Sequence, residues 1–252
     1  MVSLKSPLFK LSLLFSLPLV SFTGFSTLIQ TSSAIARGIP ERWQANEYQP
    51  PADIGTLGRR DTGGTRGDTA RCPVSQVQAL TPANSFAVTV APYPTLFFYM
   101  PRQSPQAPSA QVEFVLHDDQ EIDIYKSTFK MTEKSNLVSI SVPPNAGLPP
   151  LEVGRDYRWS LTVICNPEDR EKDLVVYGLI RRVPLKANLS NQLMQALPEE
   201  RASLYAESSI WQDALTALVQ LRRSNPNNPV VAEQWRKLLT SVGLKEVAKE
   251  TF

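Results

Sequence analysis

The stretch that decides the fold reads YRWSLTVI and occupies residues 157–164. Bulky apolar residues recur at every second position, from Tyr157 through Trp159 and Leu161 to Val163. This period of two is typical of a β-strand with one buried face. Six further short runs of similar composition span residues 86–90, 95–100, 111–116, 122–131, 137–142 and 174–180. Seven strands within about a hundred residues, separated by proline, asparagine and glycine, predict an antiparallel β-sandwich.

The approach to this strand has a pattern of its own. Leu151, Gly154, Tyr157 and Trp159 follow the spacing L-x-x-G-x-x-Y-x-W. This spacing resembles the entry into a late strand of fibronectin-type and immunoglobulin-like domains. The resemblance covers one turn and one strand. It implies that the sandwich, which we assign to residues 72–184, is immunoglobulin-like.

After residue 185 the apolar period becomes helical. Two apolar stripes have the spacing of one helix face. They consist of Trp211, Ala214, Leu215, Leu218 and Val219, and of Val231, Trp235, Leu238, Leu239 and Val242. Pro198 with two following glutamates indicates a helix start, and Pro226 and Pro229 indicate a break. We therefore predict a small α-helical segment over residues 185–252, which makes the chain mainly β plus α.

The helical segment resembles a tetratricopeptide unit. Ala202, Tyr205, Ala214, Leu218 and Pro226 stand at offsets that this motif uses. A lone unit cannot bury its own apolar face, because such repeats need about three copies. We therefore expect these helices to lean on the sandwich or on a partner.

A partner site follows from the second of these possibilities. We predict that a protein or peptide partner binds the concave side of the helices around Tyr205, Trp211, Trp235 and Leu239. The polar residues expected to lie exposed beside this groove are Gln212, Arg222 and Gln234. The alternative is that both tryptophans dock the helices onto the sandwich.

The first 36 residues have the design of a secretory signal peptide. Lys5 and Lys10 precede an apolar run over residues 11–20, and Ala34 to Ala36 form a small-x-small cleavage site. We expect cleavage after Ala36 and export to the periplasm or the exterior. Residues 37–71, rich in glycine, arginine and proline, then form a flexible tail.

A membrane anchor is the alternative for the same segment. Pro18 and several polar residues after it interrupt the apolar run. A stable span needs about 20 consecutive apolar residues. We therefore expect no stable transmembrane span once the signal is removed.

Charge and composition exclude some classes of partner. Hydrophobic residues make up 42% and charged residues 20% of the chain, as in globular proteins. Loss of Lys5 and Lys10 lowers the basic side chains from 26 to 24, which equals the 24 acidic ones. A neutral chain has no field that steers it to nucleic acid. The arginines between Arg59 and Arg71 have no aromatic residue among them for base stacking, so we expect no nucleic-acid partner.

Two cysteines, Cys72 and Cys165, agree with export. In an oxidising compartment we expect them to form a disulfide. The alternative is a metal site, which would need further ligands. With His117 as the one histidine and no CxxC motif, the ligand spacing is missing. We therefore predict neither a metal nor a cofactor.

The motifs that resemble catalytic signatures are incomplete. Residues 58–65 read GRRDTGGT, but Gly64 stands where a phosphate loop requires lysine, so we expect no nucleotide. His117 lies at the end of a predicted strand, and no GxSxG motif occurs, so we assign no catalytic residue. The acids at Asp118, Asp119, Asp123, Glu168 and Asp169 leave open a carboxylate-dependent hydrolase that acts on an envelope polymer.

Several stretches together point to one family. They are GRR at 58–60, GGTRG at 63–67, CP at 72–73, PTLFFYMP at 94–101, EFVL at 113–116, LEVG at 151–154, YRW at 157–159, CNP at 165–167 and LYAESSIWQDAL at 204–215. The chain resembles the exported cyanobacterial proteins grouped as domain of unknown function 928. The resemblance implies an exported protein with two cysteines and brings no established activity.

The function that we expect from the sequence is a non-enzymatic interaction or adaptor protein of the cell envelope or exterior. The hydrolase described above is one alternative. A purely structural surface protein is another.

Overall fold

The computed structural model describes residues 58–61, 72–102, 104, 107–131, 136–144 and 147–250. All of them belong to one unit of the chain, residues 36–252. The predicted signal peptide with its cleavage site at Ala36 lies outside the described residues. So does the predicted tail, apart from residues 58–61.

The described part of the chain contains eight β-strands and four α-helices. The strands are β1 Gln78–Ala79, β2 Phe86–Thr89, β3 Thr95–Tyr99, β4 Gln111–His117, β5 Asp123–Lys130, β6 Leu137–Ser141, β7 Asp156–Ile164 and β8 Leu174–Arg182. The helices are α1 Ala187–Gln195, α2 Pro198–Glu207, α3 Trp211–Ser224 and α4 Pro229–Ser241. The predicted class, β plus α, is confirmed, and β1 adds an eighth strand to the seven predicted.

The strands form two sheets. One has the order β2-β8-β7-β4-β5, and the other has the order β1-β3-β6. The neighbours within each sheet are antiparallel with one exception, because β2 runs parallel to β8 with Phe86 opposite Leu179. The expectation of purely antiparallel sheets is therefore wrong at this pair. A parallel pair needs a long connection, and here the chain passes through five other strands between β2 and β8.

Strand β3 is buried on both faces. Alternate residues of a strand point to opposite faces, so Leu96 and Phe98 lie on one face and Phe97 and Tyr99 on the other. The Phe98 ring packs edge-on against Trp159 of the five-stranded sheet, with ring centroids 5.5 Å apart. On the other face the Tyr99 hydroxyl donates to Glu250 Oε1 at 2.9 Å. Burial, together with this hydrogen bond, raises the pKa of Tyr99 to about 12.

The helices cover the face of the three-stranded sheet that points away from the five-stranded sheet. Helix α3 packs against β2 and β3, and Trp211 Nε1 donates to Leu80 O at 2.9 Å. Every residue of both predicted stripes is buried. Helix α2 begins at Pro198, as predicted, and the Asn228 side chain caps α4 by accepting from Val230 N at 2.9 Å. The helices therefore lean on the sheet, one of the two supports expected from the sequence.

Residues 58–61 join the edges of the two sheets. Arg59 exchanges backbone hydrogen bonds with Tyr177 of β8, and Arg60 O accepts from Ala79 N of β1 at 2.7 Å. The Arg60 guanidinium also donates to Val242 O at 2.7 Å, beyond the end of α4. A Cβ atom on Gly58 would lie 2.3 Å from Ser85 Cβ, so only glycine fits there. These four residues are therefore paired with strands and do not continue the predicted flexible tail.

A disulfide links Cys72 and Cys165, whose Cα atoms lie 4.3 Å apart. Cys72 leads into β1, and Cys165 directly follows β7. The bond therefore ties a strand of one sheet to a strand of the other.

Candidate functional site

A groove of about 590 Å³ opens where the sheet meets the helices. It lies beyond the ends of β2 and β8, beside the start of α1 and the turn between α2 and α3. Its lining consists of Val88, Val183, Pro184, Lys186, Leu189, Glu207, Ser208, Ser209 and Ile210. Apolar side chains make up about half of this lining, and the polar residues come from the residue before α1, the end of α2 and the α2–α3 turn.

The parallel pairing of β2 and β8 creates one wall of the groove. Because the two strands run in the same direction, both end at the same side of the sheet. Val183 N donates to Thr89 O at 2.8 Å and holds the two ends together. Val88 packs with Phe86 and Leu179 in a small apolar cluster, against which Val183 also packs. The chain leaves β8 through Pro184. Because proline has no backbone N–H, it cannot donate the next hydrogen bond of the strand ladder.

The turn between α2 and α3 creates the opposite wall. Ser209 has a φ of 59°, in the left-handed region that non-glycine residues rarely adopt. Ile210 N donates to Tyr205 O at 2.9 Å, which closes the turn. The Ile210 side chain packs with Leu189 of α1 and Leu204 of α2. Three separate elements thus meet at one apolar floor.

The exposed part of the groove carries one positive and one negative side chain. Lys186 precedes α1, and Glu207 ends α2; both are exposed. Within the described part of the chain, neither residue makes an ion pair. Their charges are therefore available to a bound molecule. The groove can accept apolar groups on its floor and opposite charges at its edge.

A carboxyl group behind the groove fastens α3 to the end of β2. Asp213 Oδ2 accepts from Thr89 Oγ1 at 2.7 Å and from Val90 N at 3.0 Å. Burial raises the pKa of Asp213, and the two hydrogen bonds act in the opposite direction. Burial, together with the charge of Asp213, also raises the pKa of Tyr205. This contact holds the start of α3, and with it the α2–α3 turn, against the sheet.

The residues predicted to bind a partner lie elsewhere than expected. Trp211, Trp235 and Leu239 have no exposed surface, and Tyr205 is half-buried. The predicted concave groove is corrected accordingly, because α3 packs against β2 and β3, and α4 packs against α3 and the C-terminal turn Val247–Lys249. The Trp211 hydrogen bond to Leu80 agrees with the alternative, in which tryptophans dock the helices. Tyr205 alone keeps some surface, next to the apolar cluster of the groove.

The polar residues expected to flank that groove are also buried. Gln212, Arg222 and Gln234 are each at most 5% exposed. The Arg222 guanidinium lies over the Trp235 ring, 5.2 Å from its centroid, and donates to Glu250 O at 2.8 Å. Gln212 Nε2 donates to Thr95 O of β3. Gln212 and Arg222 thus donate to backbone carbonyls between the layers, whereas neither polar atom of the buried Gln234 side chain has a hydrogen-bond partner within the described residues.

Four of the five acids considered for a hydrolase are engaged by basic side chains, the exception within the described residues being Glu168. Asp118 and Asp119 both bind Arg155, at 3.1 and 2.6 Å. The hydrogen bond from Arg155 lowers the pKa of Asp119, whereas a general acid needs a raised one. His117 Nδ1 lies 2.7 Å from Asp123 Oδ1 at the end of the β4–β5 hairpin. Asp169 forms an ion pair with Lys172, and none of these acids lines the groove.

The described ranges contain no group suited to a metal ion and no helix suited to cross a bilayer. Among those residues, no three His, Cys, Asp or Glu side chains form a group suited to a metal ion. None of the helices there combines the length and the hydropathy that a bilayer crossing requires.

The sequence contained no direct signal for the groove. Val183, Pro184 and Lys186 lie in the connection between the last strand and α1, and Ser208 to Ile210 form a turn. Neither segment has a motif, and the two are brought together only by the packing of α1 and α2. The exposed charge of Glu207 beside two serines was the sole local hint.

The fold and the groove together define a class: a β-plus-α protein in which helices cover one of two sheets and leave an open groove beside the other. The chain matches the family model described as Domain of Unknown Function over residues 61–252. It therefore belongs to the family called domain of unknown function 928, as the sequence motifs had suggested. The search of curated proteins found no match.

Proposed function

We propose that this protein is an exported, non-enzymatic interaction protein that holds an extended peptide segment of a partner in the groove. The observation that carries the proposal is an apolar floor with Lys186 and Glu207 at its edge, neither of which forms an ion pair within the described residues. An apolar floor favours bound side chains, and a few charges fix the orientation of the ligand. The groove replaces the concave helix surface as the partner site.

A peptide suits the groove better than an enclosed small molecule does. The groove is partly open to solvent, so a segment of a longer chain can reach it from the surface. Peptide backbones also supply donors and acceptors for the hydroxyl groups of Ser208 and Ser209. We expect a partner segment with apolar side chains between an acidic and a basic residue, which would face Lys186 and Glu207.

The experiment places a photo-crosslinking amino acid at position 186 of the full chain, within the groove. The matched control carries it at Lys245, an exposed lysine outside the groove. We expect position 186 to crosslink one extended segment of an envelope protein, read by mass spectrometry of the joined peptides. Crosslinking of the same segment from position 245, or crosslinking to lipid alone, would contradict the proposal.

Charge reversal provides a second test. Lys186→Glu and Glu207→Lys should each weaken capture of that segment, while Lys245→Glu and Glu171→Lys make the same charge changes outside the groove. We expect an unchanged melting temperature in all four, because exposed charges contribute little to stability. Equal capture by all four variants would remove the groove as the site.

An immunoglobulin-like sandwich is the finer fold that we propose for the sheets. The orders β1-β3-β6 and β8-β7-β4 correspond to the A-B-E and G-F-C sets of that fold. The Tyr157 hydroxyl accepts from Glu152 N at 2.9 Å, which is the contact of a tyrosine corner. The disulfide departs from the pattern, because Cys72 precedes the first strand.

A tetratricopeptide-like arrangement is the finer fold that we propose for α2 and α3. Ala202 and Ala214 are fully buried, as small residues at the contact of two close helices should be. The two helices pack closely together, and α4 follows them as the start of a further unit. An experimental structure that allows superposition on such repeats would test the assignment.

Export belongs to the proposal as well. The sequence of residues 1–36 supports it, and the disulfide between Cys72 and Cys165 agrees with an oxidising compartment. Intact mass of the protein from culture medium or envelope fractions should correspond to a chain that begins at Arg37. A mass that still includes Met1 would contradict export by a cleaved signal.

A further inference from the structure

Strand β5 forms an open edge of the five-stranded sheet. It pairs with β4 on one side, and within the described part of the chain no strand pairs with its other side. After a bulge, its regular part from Tyr125 to Lys130 presents six consecutive residues along this edge. Lys126, Thr128 and Lys130 are exposed on one face, and Tyr125, Ser127 and Phe129 are half-buried on the other.

The ladder with β4 determines which backbone groups point outward. Met131 N donates to Ala110 O at 2.8 Å, directly after the pair Gln111 and Lys130. In an antiparallel ladder the hydrogen-bonded pairs alternate, so the odd-numbered residues of β5 bond to β4. The even-numbered residues, among them Lys126 and Thr128, present their N–H and C=O groups to the open edge. A bulge opposite Leu116 and His117 ends this regular part at Tyr125.

The regular part of β5 is self-complementary about Ser127. An antiparallel second copy centred there places Tyr125 opposite Phe129 of the second copy and Lys126 opposite Thr128 of the second copy. Centring on Lys126 would put two lysines opposite each other, and centring on Thr128 would put Lys126 opposite Lys130. Like charges directly opposite destabilise a strand pair, so the Ser127 register is favoured.

The half-buried aromatic side chains favour the same arrangement. Tyr125 packs beside Phe114, with ring centroids 6.2 Å apart, and Phe129 lies against the same core. Both rings stop at the open edge and stay partly exposed. Opposite each other across two β5 strands, they would continue the core from one copy into the next.

We infer that the open edge of β5 binds the same edge of a second copy of this chain, antiparallel and centred on Ser127. The two five-stranded sheets then form one continuous sheet around a two-fold axis. Such an interface is isologous, with the same residues contributed by both copies. It is separate from the groove, so it leaves the proposed peptide site open in each copy.

The first experiment traps this register with a disulfide in the full chain. Ser127→Cys places two thiols directly opposite each other in a pair without backbone hydrogen bonds, where Cβ atoms are closest. Thr128→Cys is the matched control, because its counterpart in the second copy is Lys126. We expect a covalent dimer on a non-reducing gel for S127C and a monomer for T128C. Equal crosslinking of both variants, or of neither, would overturn the inference.

The second experiment uses charge at the neighbouring position. Thr128→Lys places a lysine opposite Lys126 of the second copy, and Thr128→Glu places a glutamate there. With two such pairs in each dimer, we expect the dimer dissociation constant to rise roughly tenfold for T128K and to fall roughly tenfold for T128E. Sedimentation equilibrium measures both values against the unmodified chain.

T128K and T128E should change the stability of the monomer in the opposite direction to the affinity of the dimer, so the two effects can be distinguished. Thr128 stands opposite Glu113 within one copy, so lysine there should support the monomer and glutamate should weaken it. Thermal unfolding at low protein concentration measures this effect. Dimer constants that change in the same direction for both variants would overturn the inference. So would an unmodified chain that sediments as a monomer at every concentration.

Discussion

Strands β3 and β5 differ in how much of the molecule surrounds them. All four residues from Leu96 to Tyr99 in β3 are buried, because a sheet covers one face and helices cover the other. From Tyr125 to Lys130 in β5 the side chains alternate between half-buried and exposed, and within the described ranges no strand pairs with the outer edge of β5. Within the described residues, the helices therefore cover the three-stranded sheet, whereas no strand covers the β5 edge of the five-stranded sheet. The two proposed binding sites, the groove and the β5 edge, both lie at the limits of the region that the helices cover.

The largest expected difference between the two strands is in core packing. Phe98→Ala in β3 should lower the free energy of unfolding by about 3–5 kcal/mol, because it leaves a cavity against Trp159. Phe129→Ala in β5 should cost only about 1–2 kcal/mol, because Phe129 is half-exposed. Chemical denaturation of both variants measures the two losses. Equal losses would mean that β5 is as enclosed as β3.

The disulfide tests how strongly the two sheets depend on a covalent link. Cys72 and Cys165 are separated by 93 residues, and closing such a loop stabilises the fold by about 4 kcal/mol in the chain-entropy model. Replacing both cysteines with alanine should lower the free energy of unfolding by about 2–5 kcal/mol. Denaturation in the oxidised and reduced states provides the control, since a reductant should affect only the unmodified protein. A double variant as stable as the oxidised chain would contradict this.

The link at residues 58–61 should have a smaller effect. Gly58→Ala places a Cβ atom 2.3 Å from Ser85 Cβ and 2.9 Å from Tyr177 O, so the segment must shift. We expect a loss of about 1–3 kcal/mol. Ser85→Gly removes one of the two clashes and suits the φ of 57° at that position, so the double variant should recover part of the loss. Hydrogen exchange at Tyr177 N would report release of the link, and unchanged protection would contradict it.

Asp213 should make stability depend on pH. Burial raises the pKa of Asp213 above that of the unfolded chain, so its stabilising contribution is complete below the unfolded pKa. That contribution is lost as the pH rises through the folded pKa. Asp213→Asn keeps an oxygen acceptor for Thr89 and Val90 but cannot titrate. The melting temperature of the unmodified protein relative to D213N should therefore fall as the pH increases from about 4.

The other acids do not obscure this comparison. Arg155 lowers the pKa of Asp119, and Arg236 lowers that of Glu233, so both act in the opposite direction. Asp119 and Glu233 are present in the unmodified protein and in D213N, so their contributions cancel in the difference between the two melting temperatures. Parallel melting curves across the pH range would show that Asp213 is not the group responsible.

The sequence predicted seven of the eight described strands and the helical segment after residue 185, because each has a local signal. The continuous apolar run in PTLFFYMP also agrees with the burial of β3 on both faces, because strands covered on both sides are typically apolar throughout. The parallel pairing of β2 and β8 had no such signal, because register and direction depend on residues far apart in the chain. For the same reason, the pairing of residues 58–61 was hidden within a stretch that resembled a flexible tail.

The candidate site was less predictable than the fold. The helical stripes identified Trp211, Trp235 and Leu239 as an apolar surface, but a stripe does not say what covers it. In the structure the three side chains belong to the core, because α3 packs on β2 and β3, and α4 packs on α3. The groove instead combines Val88 from a strand, Lys186 from a connection and Ile210 from a turn, which no single pattern relates.

By itself, therefore, the sequence determined the class, the elements, the family and the pairing of its two cysteines. These properties follow from local periodicity, from spacing and from the number of cysteines. Only the tertiary structure decided which apolar faces are covered, where the groove opens and which sheet edge stays free. Those outcomes depend on which surfaces meet in space. Because the hydrophobic effect is not directional, a local apolar pattern does not specify which surface will cover it.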